Sequence, residues 1–323
     1  MGGSPHRHAV HTLLGQTRGM RRLAALLLAP LAVFLSGSPS GAAPAPAPVP
    51  GTTEHRLASG GVDRSYRLVI PPGLPKGPAP VVVVLHGGFG TAEGALRQGG
   101  WVAAAARGHF VVVAPNGVSR SWNAGGCCGP PARQGIDDVG FVLAVLDEAE
   151  VDLRVDRDRV YATGISNGGM LAYRLACDAS RRFAAIAPVS ATLVTDGCSP
   201  TEPISLLHIH GLADGNVPFD GGLPTKSFQR NPPAYRPVRE SLEIFVQADV
   251  CTPTPRVSTR GVVTTERWRG CTGRSAVELV TIADGGHSWP GGQQMALVLD
   301  PPSAALDATA TIVDFFAAHP RHG

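Results

Sequence analysis

The sequence predicts an α/β protein: a mostly parallel central sheet flanked by helices, in a single domain. Two observations carry this expectation. From about residue 55 onward, short apolar runs of strand length alternate with helix-length segments. The most apolar of these runs, Val81-Val82-Val83-Val84-Leu85, shows no polar alternation, the pattern of a strand buried on both faces. Composition agrees, since 43% hydrophobic against 16% charged residues leaves ample apolar surface to bury and argues against disorder. A length of 323 residues suits one large domain or two small ones.

Residues 1–42 read as a secretory leader, with Arg21-Arg22, an apolar stretch over 23–35, and small residues Ser40-Gly41-Ala42 at the cleavage site. Met20 is an alternative start. The apolar stretch of 13 residues, containing Pro30, is too short to span a bilayer. A Pro/Ala-rich linker over 43–53 precedes a domain expected over 54–323. The net charge of +3, less the four arginines of the leader, leaves −1. The remaining arginines are scattered, so nucleic acid is not an expected partner. The mature protein is expected outside the cell, with no membrane span after cleavage.

Within the domain, residues 55–70 alternate and stop at Pro71-Pro72, an edge hairpin. Strands follow at 80–85 and 110–114, with one helix over 92–107 between them. Asp137 and Asp138 are expected to cap the next helix. Further strands are expected at 159–164, 183–189, 204–210 and 276–282, with helices at 167–179 and 304–318.

Export permits disulfides among Cys127, Cys128, Cys177, Cys198, Cys251 and Cys271. Pairing sequence neighbours joins Cys177 to Cys198 and Cys251 to Cys271. Cys127 and Cys128 are then either a vicinal pair or free thiols. No Cys-x-x-Cys occurs, and neither a metal nor a cofactor is expected.

Three segments carry the chemistry. Gly164-Ile165-Ser166-Asn167-Gly168 lies between an apolar strand and a helix, where a serine is held with its hydroxyl above the sheet. Asp214 follows the strand that contains His208 and His210, and His287 follows the strand at 276–282. The order Ser166, Asp214, His287 is that of the α/β-hydrolase fold. A hydroxyl needs a base to act as nucleophile, which fits His287, with Asp214 to orient it. Asp220 and Asp284 are rivals for the acid, and His319 and His322 for the base. His208 and His210 point to one face of a buried strand and read as satisfied core histidines. The turn Leu85-His86-Gly87-Gly88-Phe89-Gly90 supplies an oxyanion donor at Gly88, with Phe89 the next choice, to partner the Asn167 amide. Trp122 and Trp289 are candidates for the substrate pocket.

Longer strings go beyond the serine motif: Ser121-Trp122-Asn123-Ala124-Gly125-Gly126-Cys127-Cys128-Gly129, Ile136-Asp137-Asp138-Val139-Gly140-Phe141, and Val160-Tyr161-Ala162-Thr163-Gly164 running on to Met170. With His208-Ile209-His210-Gly211 and Gly286-His287-Ser288-Trp289-Pro290, the chain resembles the secreted polyhydroxybutyrate depolymerase and feruloyl esterase group, relatives of carbohydrate esterase family 1. The resemblance runs from about residue 55 to 319. It implies an α/β-hydrolase fold and carboxylic-ester hydrolysis through an acyl-enzyme, with nucleophile Ser166, acid Asp214 and base His287. It implies as substrate a polyester oligomer or a cell-wall polysaccharide ester, feruloyl or acetyl. The final helix runs close to Gly323 with no separate binding domain after it, which favours oligomers and soluble esters over crystalline polymer. An acyltransferase on the same triad, or a non-catalytic binding protein on the same fold, are the other readings. Neither the preferred ester nor the oligomeric state is fixed by the sequence.

Overall fold

A computed structural model describes residues 50–227, 232–295 and 300–321 of the chain. The leader, and the linker up to residue 49, lie outside the described residues. The first strand, β1 (Gly51–Ser59), begins three residues ahead of the expected domain start and pairs antiparallel with β2 (Val62–Ile70). Gly60 and Gly61 make the turn at φ 59° and 76°, a left-handed pair that matches strand twist and suits glycine.

The chain continues through β3 (Ala79–Leu85), α1 (Ala92–Gln98), α2 (Trp101–Gly108) and β4 (Val111–Pro115). Next come α3 (Gly129–Gln134), α4 (Asp138–Asp152), β5 (Val155–Ile165), α5 (Asn167–Asp178), β6 (Ala185–Val189) and β7 (Ser205–Gly211). The last elements are α6 (Val238–Ala248), β8 (Arg256–Arg260), β9 (Val263–Trp268), β10 (Val277–Ile282) and α7 (Ala308–Ala318).

Among the described residues the strands form one sheet in the order β1-β2-β4-β3-β5-β6-β7-β10-β9-β8. The six from β4 to β10 are parallel, and antiparallel hairpins close both edges. The valine run of β3 behaves as its lack of alternation predicts. Val81, Val83 and Leu85 enter the core on one face, and Val82 and Val84 the core on the other. None of the five is more than 2% exposed. Burying each such side chain contributes about 1.5–3 kcal/mol, so the middle of the sheet is the stable platform.

Four expectations are corrected. The helix expected over 92–107 is two, because Gly99 and Gly100 interrupt it and Gly100 adopts φ 62°. The last helix starts at Ala308 rather than 304, where the Asp307 carboxylate accepts the Ala310 amide at 2.9 Å. No element was expected between 211 and 276, yet α6 and the β8–β9 hairpin lie there. Of the two aspartates before α4, only Asp137 caps, accepting the Gly140 amide at 2.8 Å. Asp138 instead sits in the interior, 2.6 Å from Arg64, and accepts the Asn123 amide at 2.7 Å.

Disulfides join Cys127 to Cys128, Cys177 to Cys198 and Cys251 to Cys271, so the adjacent pair is bonded rather than free. Each of the two longer links closes a loop of about 20 residues, worth roughly 3 kcal/mol by loop entropy.

The Arg64–Asp138 pair ties β2 to α4 through the interior. Burial pushes the Asp138 carboxyl above its ordinary value, while the Asn123 amide and Arg64 oppose that rise. Arg64 also lies 3.8 Å over the Phe141 ring. Removing one partner leaves the other charge buried and unpaired. Asp138→Ala is therefore expected to lose about 3–5 kcal/mol in urea unfolding. A loss below 1 kcal/mol, the level of a surface pair, would contradict this account.

Candidate active site

Residues at the carboxyl ends of β3, β5, β7 and β10 converge on one cleft. Ser166 sits between β5 and α5 at φ 56° and ψ −126°, a conformation costly for any residue with a side chain. Its amide donates to Val189 O at 2.9 Å, and its carbonyl accepts the Met170 amide at 2.9 Å. The two flanking glycines are steric necessities. A Cβ on Gly164 would stand 2.6 Å from Leu85 O, and one on Gly168 2.5 Å from both Leu85 O and His86 O. The turn can thus be tight only while the end of β3 presses directly on it.

That pressure brings the glycine-rich turn after β3 beside the serine. The site of a Cβ on Gly87 lies 3.5 Å from the Ser166 Cβ. The Phe89 amide is engaged, donating to Arg120 O at 2.8 Å, which removes the second-choice donor. Gly88 faces open space, with no atom within 4 Å of its Cβ position. Asn167 opens α5, where the first amides have no acceptor within the helix.

Polar groups fix this corner from behind. The Asn167 side chain pairs with the Trp122 backbone, accepting its amide at 2.7 Å and donating to its carbonyl at 3.0 Å. The Ser121 hydroxyl donates to the same Asn167 oxygen at 3.0 Å. The Trp122 indole N–H donates to His86 O at 2.7 Å. His86 holds a single tautomer, because Nδ1 faces Gly87 O at 2.7 Å and must donate. Its Nε2 then accepts the Gly117 amide at 3.0 Å. Burial, reinforced by Arg120 and Arg64 and only partly opposed by the Gly87 carbonyl, pulls the His86 pKa down to about 4.

Asp214 and His287 meet directly, with Oδ2 2.8 Å from Nδ1. The other carboxylate oxygen accepts the amides of Asn216 and Val217, each at 2.8 Å. Burial pushes the Asp214 carboxyl up, but His287, His210 and the Val217 amide outweigh it and hold the pKa below its ordinary value. The rival acids Asp220 and Asp284 are exposed. His319 bonds Phe315 O at 2.7 Å, and His322 lies outside the described residues. Among the described residues Ser166 and His287 line the same cleft without a direct hydrogen bond. Such contacts commonly tighten only with substrate bound. One contributor escaped the sequence reading. Asp300 accepts the His287 amide at 2.9 Å while bonding Lys226 Nζ at 2.6 Å.

The cleft measures about 760 Å3. Its walls include Gly88, Phe89, Arg120, Cys128, Met170 and Tyr235. Neither tryptophan expected there lines it. Trp122 is fully buried under His86, its ring centroid 4.6 Å away. Trp289 packs edge-on against Trp101 and donates to the Thr309 hydroxyl at 2.9 Å. Both carry the loops and do not face the ligand space. Cys128 does reach the cleft, where its sulfur lies 3.9 Å from that of Met170. Among the described residues no cluster of side chains is suited to hold a metal ion, and no helix is long and apolar enough to cross a membrane.

A parallel sheet with a strained serine elbow after β5 defines an α/β-hydrolase, and comparison with known proteins gives the class more closely. The family profile described as Esterase PHB depolymerase matches residues 64–233. NocK of Nocardia uniformis subsp. tsuyamanensis, classed as an esterase, is 34% identical over 82% of this chain and 82% of its own length. Feruloyl esterase C of Emericella nidulans is 31% identical over 74% of this chain and 83% of its own. Among solved structures, an acetyl xylan esterase from Aspergillus awamori superposes with a TM-score of 0.58 at 13% identity, covering 82% of this chain and 99% of that one. The chain belongs to the esterase PHB depolymerase family and is a serine carboxylic-ester hydrolase.

Two outcomes test this corner. Gly168→Ala is expected to displace the Leu85 and His86 carbonyls and to lower both esterase turnover and the urea midpoint; wild-type values would refute the close approach. The lowered pKa of His86 means the folded protein keeps it neutral, whereas the unfolded chain takes the proton near 6.5. Its contribution to stability is complete above that pH and declines as pH falls towards about 4. An NMR titration should place the His86 midpoint near 4, with the Gly117 amide losing exchange protection there. A midpoint near 6.5 would disprove the buried acceptor role.

Proposed function

We propose that Ser166, His287 and Asp214 act as nucleophile, base and acid in hydrolysis of carboxylic esters through an acyl-enzyme. The observation that carries the reading is the 2.8 Å contact between Asp214 and His287, whose ring lines the cleft that also holds the strained Ser166. In this scheme the Ser166 hydroxyl attacks the ester carbonyl carbon, and His287 Nε2 takes its proton. Asp214, held by two backbone amides, keeps Nδ1 protonated and stabilises the imidazolium. The oxyanion is received by the amides of Gly88 and Asn167, each worth about 3 kcal/mol in the transition state. Collapse breaks the bond to the alkoxy oxygen, which leaves as the alcohol with the proton from His287. Water, deprotonated by His287, then attacks the acyl carbon and frees Ser166 and the acid.

The substrate we infer carries a larger acyl group than acetyl: a feruloyl ester of plant cell walls or a hydroxyalkanoate oligomer. The cleft volume of about 760 Å3 far exceeds an acetyl group, and Phe89, 62% exposed, offers an aromatic face at its mouth. The named activity of the fungal relative supports the feruloyl choice, and the family description the polyester choice. We further propose that the enzyme is exported after removal of residues 1–42, leaving a linker and a catalytic domain from about residue 54. Three disulfides suit an oxidising compartment.

On p-nitrophenyl butyrate, Ser166→Ala should lose roughly 10⁴-fold or more in kcat, and Asp214→Asn about 10²–10⁴-fold. Both variants should remain folded by circular dichroism. Turnover retained by the serine variant would remove the assignment; a comparable loss in Asp284→Asn would move the acid. Side-by-side rates on methyl ferulate, a hydroxybutyrate trimer and acetylated xylan should rank the third lowest, and the opposite order would overturn the substrate class.

A further inference from the structure

Behind the acid lies a line of buried polar groups that the proposed chemistry leaves unused. The Tyr173 hydroxyl is 2.8 Å from His208 Nδ1, and His208 Nε2 is 2.9 Å from His210 Nδ1. His210 Nε2 is 2.9 Å from Val217 O. All three side chains are fully buried. The two imidazoles stack at 5.2 Å, with Phe219 edge-on to His210 and Phe245 against Tyr173.

A carbonyl can only accept, and this fixes every hydrogen in the line. Val217 O requires a hydrogen on His210 Nε2. A neutral His210 then has a bare Nδ1, which must accept from His208 Nε2. His208 Nδ1 is bare in turn and accepts the Tyr173 hydroxyl. The competing arrangement makes His210 an imidazolium. It reverses His208, and forces the Tyr173 oxygen to accept, which leaves the phenolic hydrogen without an acceptor among the described residues. Burial opposes that charge as well, holding both histidines below their ordinary range.

The line ends on the acid loop. His210 Nε2 lies 3.5 Å from Asp214 Oδ2, the oxygen that also bonds His287. Val217 is tied on both sides, its amide to Asp214 Oδ1 and its carbonyl to His210. We propose that Tyr173, His208 and His210 form a one-way chain of neutral donors whose last member, His210, is a positioning residue for Asp214. The role, though not the chain, rests on Asp214 being the catalytic acid. Without His210, the buried Val217 carbonyl has no donor among the described residues, and the Asp214 carboxylate can turn away from His287.

The chain is tested on the wild-type protein by nitrogen–proton NMR of labelled histidine. Both His208 and His210 should show the Nε2–H pattern of neutral imidazoles at neutral pH. An Nδ1–H pattern at His208, or an imidazolium at His210, would overturn it. The role is tested by kinetics on p-nitrophenyl butyrate. His210→Leu should lose roughly 100-fold in kcat with KM nearly constant. His210→Gln, whose carboxamide N–H can reach Val217 O, should recover most of that loss. Equal losses in both variants, or a change confined to KM, would defeat the positioning role. Activity retained by Ser166→Ala or Asp214→Asn would instead defeat the triad, leaving the NMR result intact.

Discussion

The constraint on which the rest depends is the close approach of β3 to the turn at Ser166. A non-glycine residue at φ 56° costs of order 1–3 kcal/mol and persists only where its surroundings over-determine it. Here the surroundings are two glycines with no room for a Cβ, a hydrogen bond to β6, and the first turn of α5. The platform that bears this cost is the pair of cores on either side of β3 and β5. The strain, the burial of the valine run and the exposure of the serine hydroxyl are aspects of one geometric solution.

The sheet order explains why the cleft opens where it does. From β3 the chain moves outward to β4, then returns to place β5 on the other side of β3. Loops leaving β3 and β5 therefore diverge, and the gap between them is a switch point where open parallel sheets bind ligands. The turn after β3 borders that gap on one side and Ser166 on the other. His287 reaches it from β10, with Asp214, after the neighbouring β7, bonded behind it. Four strand ends thus position groups far apart in sequence, while the antiparallel hairpins at the edges leave the cleft alone.

Much of this was legible because it follows from short-range chemistry. A run of valines has one reading, and glycines two residues either side of a serine have few. Of the three residues in the order Ser166, Asp214, His287, the first and last line one cleft and Asp214 bonds His287 from behind. What escaped was set by tertiary contacts. Asp138 looks like an N-cap beside Asp137, and only the approach of Arg64 from β2, 74 positions away, makes it an interior ion pair. Trp122 and Trp289 resemble pocket aromatics in sequence, but their indole N–H groups found partners in the interior. Helix α6 did carry a readable signal, with Val238, Leu242, Phe245 and Val246 at helical spacing. Its entry at Pro237 lacks a side-chain cap, and the polar strand β8 has no apolar face to announce it.

His208 and His210 join the two kinds of result. As core histidines with satisfied hydrogen bonds they match the sequence expectation, yet their place in the network gives them a direction that no spacing rule contains. Asp214 must stay ionised although it is almost wholly buried, so each oxygen needs donors that stay in place. Two come from its own loop and one from His287. The loop donors help only while residue 217 keeps its orientation, and its carbonyl is the free end. An imidazole whose burial disfavours the charged form, anchored by a second imidazole and a phenol, would hold that end without adding a charge to compete with His287. A lysine or arginine there would pair with Asp214 outright and weaken its hold on His287. On the proposed reading, a neutral chain of donors orients the carboxylate while leaving its charge available to His287.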